Sequence, residues 1–433
     1  MFFTWRMPAL TGFGTVPVIL LTGAGLNPWL LAPGWVLLVV ILALVDTLLA
    51  PDPKRLRVSR TVPSRLLLGQ RAQTELRLHN TGQRGIIGWV RDAWQPTAGA
   101  PSTRARVRIP PDSTWKVEIP LLPRRRGEIR SDFVVVRAQG PIGLAGRQRL
   151  IESPGRLRVL PAFTSRKHLP SRLTRLRELD GNTRVNMRGQ GTEFDSLREY
   201  VRGDDVRSID WRATARSQTT MLRTWRPERD RHVVIVIDTG RTAAVRIGDG
   251  TRLDAAIEAA LLLAALATAA GDHVHVVMFD RALRARVTRV EGPMLLPTLI
   301  DAIAPVQAQL IDTDWDAVRA VIDSLTSRAS LVVLLTAQDA PDSARSFLGA
   351  LPVLTARTRV LVGSTTGEAA PVPAQVDAVD VYREAAAERA QSEAALVGSA
   401  MTRAGAISIT GTPENLPPRV ADRYLELKAA GLL

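Results

Sequence analysis

Between Met7 and Val45 the chain carries no charged residue except at its borders, where Arg6 precedes the run and Asp46 follows it. A bilayer span needs about 20 apolar residues, so this run is too long for one crossing and suits two. Asn27-Pro28 supplies the turn, because both residues are turn formers and proline disfavours helix in the residue before it. Spans are expected near 8–26 and 29–49. The rival is a cleaved signal peptide followed by one anchor. It lacks a small-residue cleavage site, since residues 22–26 read TGAGL, and a second apolar run follows at once. Lys54, Arg55, Arg57 and Arg60 follow the run against a single acid, Asp52. Positive flanks at both ends place both termini in the cytoplasm of a two-pass plasma-membrane protein, with the lipid bilayer as its first partner. Asp46 reads as an interfacial carboxylate close to Arg55 rather than as a functional group inside the membrane.

The rest of the chain is long enough for two or three domains. It has no Cys, which removes disulfides, thiolate metal sites and Cys nucleophiles. Residues 51–230 hold 37 Lys and Arg against 18 Asp and Glu, whereas residues 231–433 hold 19 against 23. The basic half therefore adjoins the membrane, where anionic headgroups attract cations. Nucleic acid is not expected as a partner, because no nucleic-acid-binding motif accompanies the charge. Only four of the cations are Lys, so the excess of Arg has a compositional reading as well.

Short alternating runs fill residues 56–160: Gln73–Leu78, Val107–Ile109, Lys116–Leu121, Asp132–Ala138 and Leu157–Leu160. Turn clusters separate them, which predicts a small antiparallel β-sandwich over 51–162. A connector, 163–230, contains an expected helix at Leu169–Leu179. From 231 to 433 apolar strands alternate with helices. Strands are expected at Val233–Ile237, Val274–Phe279, Leu331–Leu335, Thr358–Val362 and Ala406–Ile409. Helices are expected at Leu253–Ala270, Met294–Ala304, Trp315–Thr326, Arg383–Ala404 and Pro418–Ala430. Strands that are apolar throughout imply a mostly parallel sheet covered on both faces.

Residues 189–229 interleave Phe194, Tyr200, Ile209, Trp211, Leu222 and Trp225 among dense charges. The segment GQGTEFDSLREYVRGDDVRSIDWR resembles, without a gap, the signature of the family called domain of unknown function 58. Its elements here are Glu193, Phe194, Asp195, Arg198, Tyr200, Gly203, Asp204, Asp205, Arg207, Asp210, Trp211 and Arg212. Upstream, PLLPRRRGEIRSDFVVVRAQGPIGLAGR resembles the region preceding that signature, with Gly140-Pro141-Ile142-Gly143-Leu144 where the family has a D-P-F-G-L-like corner; the Asp and the Phe are absent. The resemblance implies a von Willebrand A-like (vWA) fold for 231–433 and pairing with a MoxR-type AAA+ ATPase.

In vWA domains a divalent ion sits at the C-terminal ends of the strands, held by a D-x-S-x-S motif plus a Thr and an Asp from later loops. Asp238 and Thr242 match the first motif and Thr313 matches the Thr loop. Gly240 and Ala337 have lost ligands, and Arg241 places a cation alongside. Mg²⁺ is therefore conceivable only at a degenerate site, and Asp238 reads first as a cap of the following helix or of its own loop. No P-loop is possible, because none of the four lysines follows Gly. There is no H-E-x-x-H helix and no nucleophile elbow. His273 and His275 share one face of a strand but lack a third metal ligand, so they read as structural histidines.

The signature has two readings. Asp204, Asp205, Arg207, Asp210 and Arg212 pair among themselves as a clamp, with the aromatic residues inward, or they form a docking surface anchored by Arg and Trp. Together these features describe a multidomain, non-enzymatic scaffold: a transmembrane hairpin over 1–50, a β-sandwich, the connector and an α/β vWA-like domain. No cofactor is expected. The alternative is a metal-dependent ligand-binding module, and a hydrolase is disfavoured for want of a nucleophile–base pair. The client and the oligomeric state are not readable from the sequence.

Overall fold

The computed structural model describes residues 1–101, 104–186, 193–202, 204–226, 231–366 and 378–433. It divides into two units, Met1–Leu160 and Pro161–Leu433.

In the first unit, the charge-free run folds into helices Arg6–Phe13, Thr15–Gly23 and Pro28–Leu49. Asn27 opens the last of these by accepting a hydrogen bond from Trp29 N at 2.9 Å, with Pro28 at the first helical position. Its 22 residues rise about 33 Å at 1.5 Å per residue. It is the only helix among the described residues that is long and apolar enough to cross a membrane. The stretch expected as the first span, 8–26, is two shorter helices that meet at Gly14. A Cβ at Gly14 would lie 1.8 Å from Trp35 Nε1, so the indole occupies the space a side chain would need. Backbone bonding nevertheless continues across the junction, from Gly14 N to Leu10 O and from Val18 N to Gly14 O, each 3.2 Å.

Asp46 departs from its expected interfacial role beside Arg55. It is fully buried, and its carboxylate accepts hydrogen bonds from the backbone N–H groups of Ile142, Leu144 and Ala145, each at 2.8 Å. The corner Gly140–Leu144 wraps it: Gly143 has φ +84°, and a Cβ on Gly140 would meet Asp46 Oδ1 at 2.2 Å. Phe2–Phe3 pairs antiparallel with Ala145 and Gly146 beside the same corner.

Beyond the helix, Leu56–Thr61, Ala72–Asn80 and Ser113–Leu121 form a three-stranded antiparallel sheet. A six-stranded sheet contains Ile86–Trp94, Ala105–Ile109, Gly127–Gln139 and Ala145–Leu160, with Phe2–Phe3 and Arg65–Leu67 at its margin. Leu76, Leu78 and Val117 from the first sheet bury against Val90, Val107, Val134 and Val136 from the second. These residues alternate along their strands, so one face of each sheet builds the core. Within it Arg60 makes a two-pronged ion pair with Asp92, at 2.7 and 3.1 Å, which Ser131 Oγ joins at 2.7 Å.

In the second unit, a six-stranded sheet runs in the order Leu283–Val287, His273–Phe279, His232–Asp238, Ala329–Leu335, Arg359–Thr365, Ile407–Gly411. All neighbours are parallel except the first pair. Val233, Ile235 and Ile237 point into one core and Val234 and Val236 into another, so helices cover both faces. Helix Arg252–Ala269 is buried along most of its length, as its Ala/Leu composition requires, and opens on a Thr251–Asp254 capping box. Helix Leu416–Ala429 and the connector helix Leu169–Asn186 pack over it. Helix Pro341–Thr355 is absent from the sequence expectations: Gly349 and Pro352 interrupt its helical pattern, yet Phe347, Leu351 and Leu354 bury regularly against the sheet.

Candidate functional site

Asp238 ends the central strand, where side chains emerge at the carboxyl edge of a parallel sheet. Its side chain is buried. Oδ1 accepts from Gly240 N at 2.8 Å and from Thr313 Oγ1 at 2.5 Å. Oδ2 accepts from Thr242 Oγ1 at 3.2 Å and from Thr336 Oγ1 at 2.6 Å. The structure therefore brings together all three residues expected there, Asp238, Thr242 and Thr313. Thr336, which precedes the lost ligand position at Ala337 and is not among the residues expected there, is the fourth member; its signal is a hydroxyl directly after the last apolar residue of a parallel strand.

The four donors occupy the roughly four lone-pair positions a carboxylate offers. Gly240 leaves no room for the missing hydroxyl: a Cβ there would sit 2.3 Å from Thr313 Oγ1. Mg²⁺ demands near-octahedral oxygen coordination, usually with more than one hard anionic partner. One carboxylate already saturated by neutral donors does not fit that demand. Among the described residues no group of three or more His, Cys, Asp or Glu could hold a metal ion.

A second buried carboxylate, Asp280, lies at the end of the neighbouring strand. It accepts from Thr239 Oγ1 at 2.8 Å, Arg284 Nε at 2.7 Å, and the N–H groups of Arg281 and Ala282 at 2.6 and 3.0 Å. Burial pushes its pKa up, but the Arg284 guanidinium, the Thr239 hydroxyl and the two amides outweigh burial and hold it below the usual carboxylate range. Above Asp238 opens a cleft of about 650 Å³ lined by Arg241, Arg281, Thr313, Trp315 and Gln338 among others. Arg241 pairs with Asp312 at 2.6 Å, so the cation expected beside the site turns to its own acid. Gln338 is 5% exposed; its Nε2 donates to Thr336 Oγ1 at 3.0 Å, and its buried Oε1 has no partner among the described residues.

The signature folds as a separate hairpin. Strand Glu193–Glu199 pairs antiparallel with Met221–Arg226, and a short helix, Trp211–Ser217, lies between them. Residues 189–192 and Gly203 lie outside the described residues, as do the side chains of Glu193, Phe194 and Asp195. Asp204 accepts from Arg198 Nη2 at 2.7 Å and from Val201 N at 3.0 Å. Asp205 caps a turn through Arg207 N at 3.0 Å. Asp210 caps the short helix through Arg212 N and Ala213 N, each 3.0 Å, and takes Arg223 Nε at 2.7 Å. The Ala213 amide first, and then Arg223, hold its pKa below the usual range.

The expected mutual pairing is thus replaced by local caps and by Arg198 and Arg223. Among the described residues no carboxylate pairs with the side chains of Arg207 or Arg212. Nor are all the aromatic residues inward: Trp211 is 71% exposed, and Val201 and Val206 in the same segment are exposed too, whereas Leu222 is buried and Tyr200 half-buried.

His273 and His275 meet a third ring, His232, on the adjacent strand. His232 Nδ1 and His275 Nε2 are 2.9 Å apart and the rings stack. Burial first, then the neighbouring cations, push His275 down to about 4, so it is neutral at pH 7.

No curated protein matches the chain. Several solved structures align with about a quarter of it. The CARDB domain of a Pyrococcus furiosus protein, in complex with di-metal ions, aligns at 18% identity and TM-score 0.19, covering 26% of this chain and 94% of that one. The human seminal-plasma complex of zinc 2-glycoprotein and prolactin inducible protein aligns at 12% identity and TM-score 0.20, covering 25% and 99%. A β-glucosidase from Listeria innocua aligns at 13% identity and TM-score 0.18, covering 24% and 16%. Scores this low assign no fold to the whole chain. The family model described as protein of unknown function DUF58 matches residues 196–419, more than half of the chain, and the chain belongs to that family.

Proposed function

We propose that this chain is a membrane-anchored, non-enzymatic scaffold whose signature hairpin docks a partner, a MoxR-type AAA+ ATPase, at the cytoplasmic face. The observation that carries the reading is the exposed Trp211 on a hairpin whose carboxylates lock it internally. A surface indole beside Arg207 and Arg212, which among the described residues pair with no carboxylate, is the residue combination that anchors interfaces. A two-pass hairpin with cytoplasmic ends is supported by the two flanks of the charge-free run, because Phe2–Phe3 and Asp46 are both fastened to the corner around Ile142–Gly146. The sheet of residues 231–433 is compatible with a vWA-like domain, with its Asp238 cage at the usual ligand edge. Among the described residues no nucleophile–base pair accompanies that cage, which favours binding over catalysis.

Two variants test the docking reading. Trp211→Ala should abolish co-purification of the ATPase from solubilised membranes while leaving the melting temperature within about 1 °C, since an exposed side chain contributes little to stability. Asp210→Ala should instead lower it by roughly 2–4 °C through loss of the helix cap. Unchanged co-purification by Trp211→Ala removes the docking role.

The alternative, a metal-dependent ligand-binding module, draws on the convergence of Asp238, Thr242 and Thr313. Calorimetric titration of the full chain with Mg²⁺ decides it. The saturated carboxylate predicts no site tighter than roughly millimolar, and micromolar binding at one site per chain would restore the alternative.

A further inference from the structure

Where the long apolar helix ends, the first unit has a cleft of about 520 Å³. One wall is the helix exit, with Leu48 and Ala50; the other is the loop after strand Ala72–Asn80. Three arginines, Arg55, Arg84 and Arg147, line it against one acid, Asp52. Arg147 donates from Nε to Thr47 O at 3.0 Å and from Nη2 to Leu48 O at 3.1 Å. Arg84 Nη1 donates to Leu49 O at 3.4 Å. These contacts satisfy carbonyls that the last helical turn leaves open. They use one or two of the five N–H donors each guanidinium carries. Among the described residues no carboxylate pairs with any of the three arginines. The negative helix end, worth about half a charge, and Asp52 together leave the cleft net positive.

We propose that this cleft binds the phosphate of an anionic phospholipid headgroup, with Arg55 and Arg84 as its principal ligands. The proposal rests on the reading of helix Pro28–Leu49 as a membrane span. In that placement the cleft sits at headgroup depth, beside Leu48, which is 64% exposed and continuous with the apolar face of the helix. Arginine suits the role, because its planar fork bonds a phosphate through two N–H groups at once. The caps made by Arg147 and Arg84 tie the sheet and the loop to the helix end and so fix the two walls of the cleft to each other.

The test uses the full chain in detergent, titrated with short-chain phosphatidylglycerol, with phosphatidylcholine and with inorganic phosphate, and read by native mass spectrometry. Wild type should retain phosphatidylglycerol in preference to phosphatidylcholine. Arg55→Gln combined with Arg84→Gln should weaken phosphatidylglycerol binding about thirtyfold, from roughly one lipid-facing charge interaction lost at each position. Equal retention of the two lipids, or unchanged binding by the double variant, overturns the site. Inorganic phosphate binding as tightly as phosphatidylglycerol overturns the lipid as its source. A double variant that melts far below wild type without lipid is replaced by Arg55→Gln alone, which removes no helix cap and should still lose several-fold. Alkaline extraction of membranes reads the anchor separately. A chain released by alkali refutes the span, whereas a chain that stays embedded but shows no lipid preference refutes only the headgroup site.

Discussion

Asp272→Ala should destabilise the second unit by about 3–5 kcal/mol, the usual cost of breaking a buried ion pair from one side. Asp272 follows helix Arg252–Ala269 and precedes the strand His273–Phe279. Its Oδ1 accepts from Lys428 Nζ at 2.7 Å, and its Oδ2 accepts from the Tyr424 hydroxyl. The side chains of Lys428 and Asp272 are 8% and 3% exposed. Removing the carboxylate strips a buried ammonium of the acid 2.7 Å from it, while the Ala270 carbonyl, at 3.2 Å, and the Tyr424 oxygen stay beside it. For a unit of this size the loss corresponds to a melting temperature lower by roughly 10 °C. Asp272→Leu combined with Lys428→Met should be less harmful than Asp272→Ala, because an apolar pair leaves no unpaired charge. A single variant that melts with wild type would show that the charges are solvated in solution.

That network also marks the limit of what the sequence discloses. The strands Val233–Ile237, Val274–Phe279 and Leu331–Leu335 are legible because a parallel strand covered on both faces must be apolar at every position. Val233 and Val234 are equally hydrophobic for this reason, although they enter different cores. Helix Pro341–Thr355 escapes because Gly349 and Pro352 weaken the local propensity, and burial of Phe347 and Leu351 overrides it. The convergence of Asp238, Thr242 and Thr313 is expected only through the resemblance to the vWA ligand motif, because nothing in the spacing of these positions by itself brings them together. The partners of the signature carboxylates are not legible. Asp210 meets Arg223 only through the hairpin, whose register sets Leu197 opposite Arg223 and Arg198 opposite Leu222. Charge density in a sequence says that ions will pair, and register says which.

Asp46 makes the same point at greater range and with a larger expected effect. Sequence context offers it Arg55 as a neighbour, whereas its three bonds reach residues 96 to 99 positions away. Asp46→Ala strands three backbone N–H groups, two of them in fully buried bonds, and each stranded donor costs about 1–3 kcal/mol. The sum is at least about 3 kcal/mol, concentrated where the long apolar helix joins the sheet. Hydrogen exchange on the full chain in detergent should therefore quicken at the amides of Ile142, Leu144 and Ala145 by roughly a hundredfold or more. Asp46→Asn keeps one acceptor oxygen and should fall between. Gly140→Ala attacks the same contact from the other side, since its Cβ would lie 2.2 Å from Asp46 Oδ1. It should accelerate the same three amides without altering the carboxylate. If exchange there is unchanged in Asp46→Ala and in Gly140→Ala, the corner does not hold the helix, and the two flanks of the charge-free run lose their common fastening.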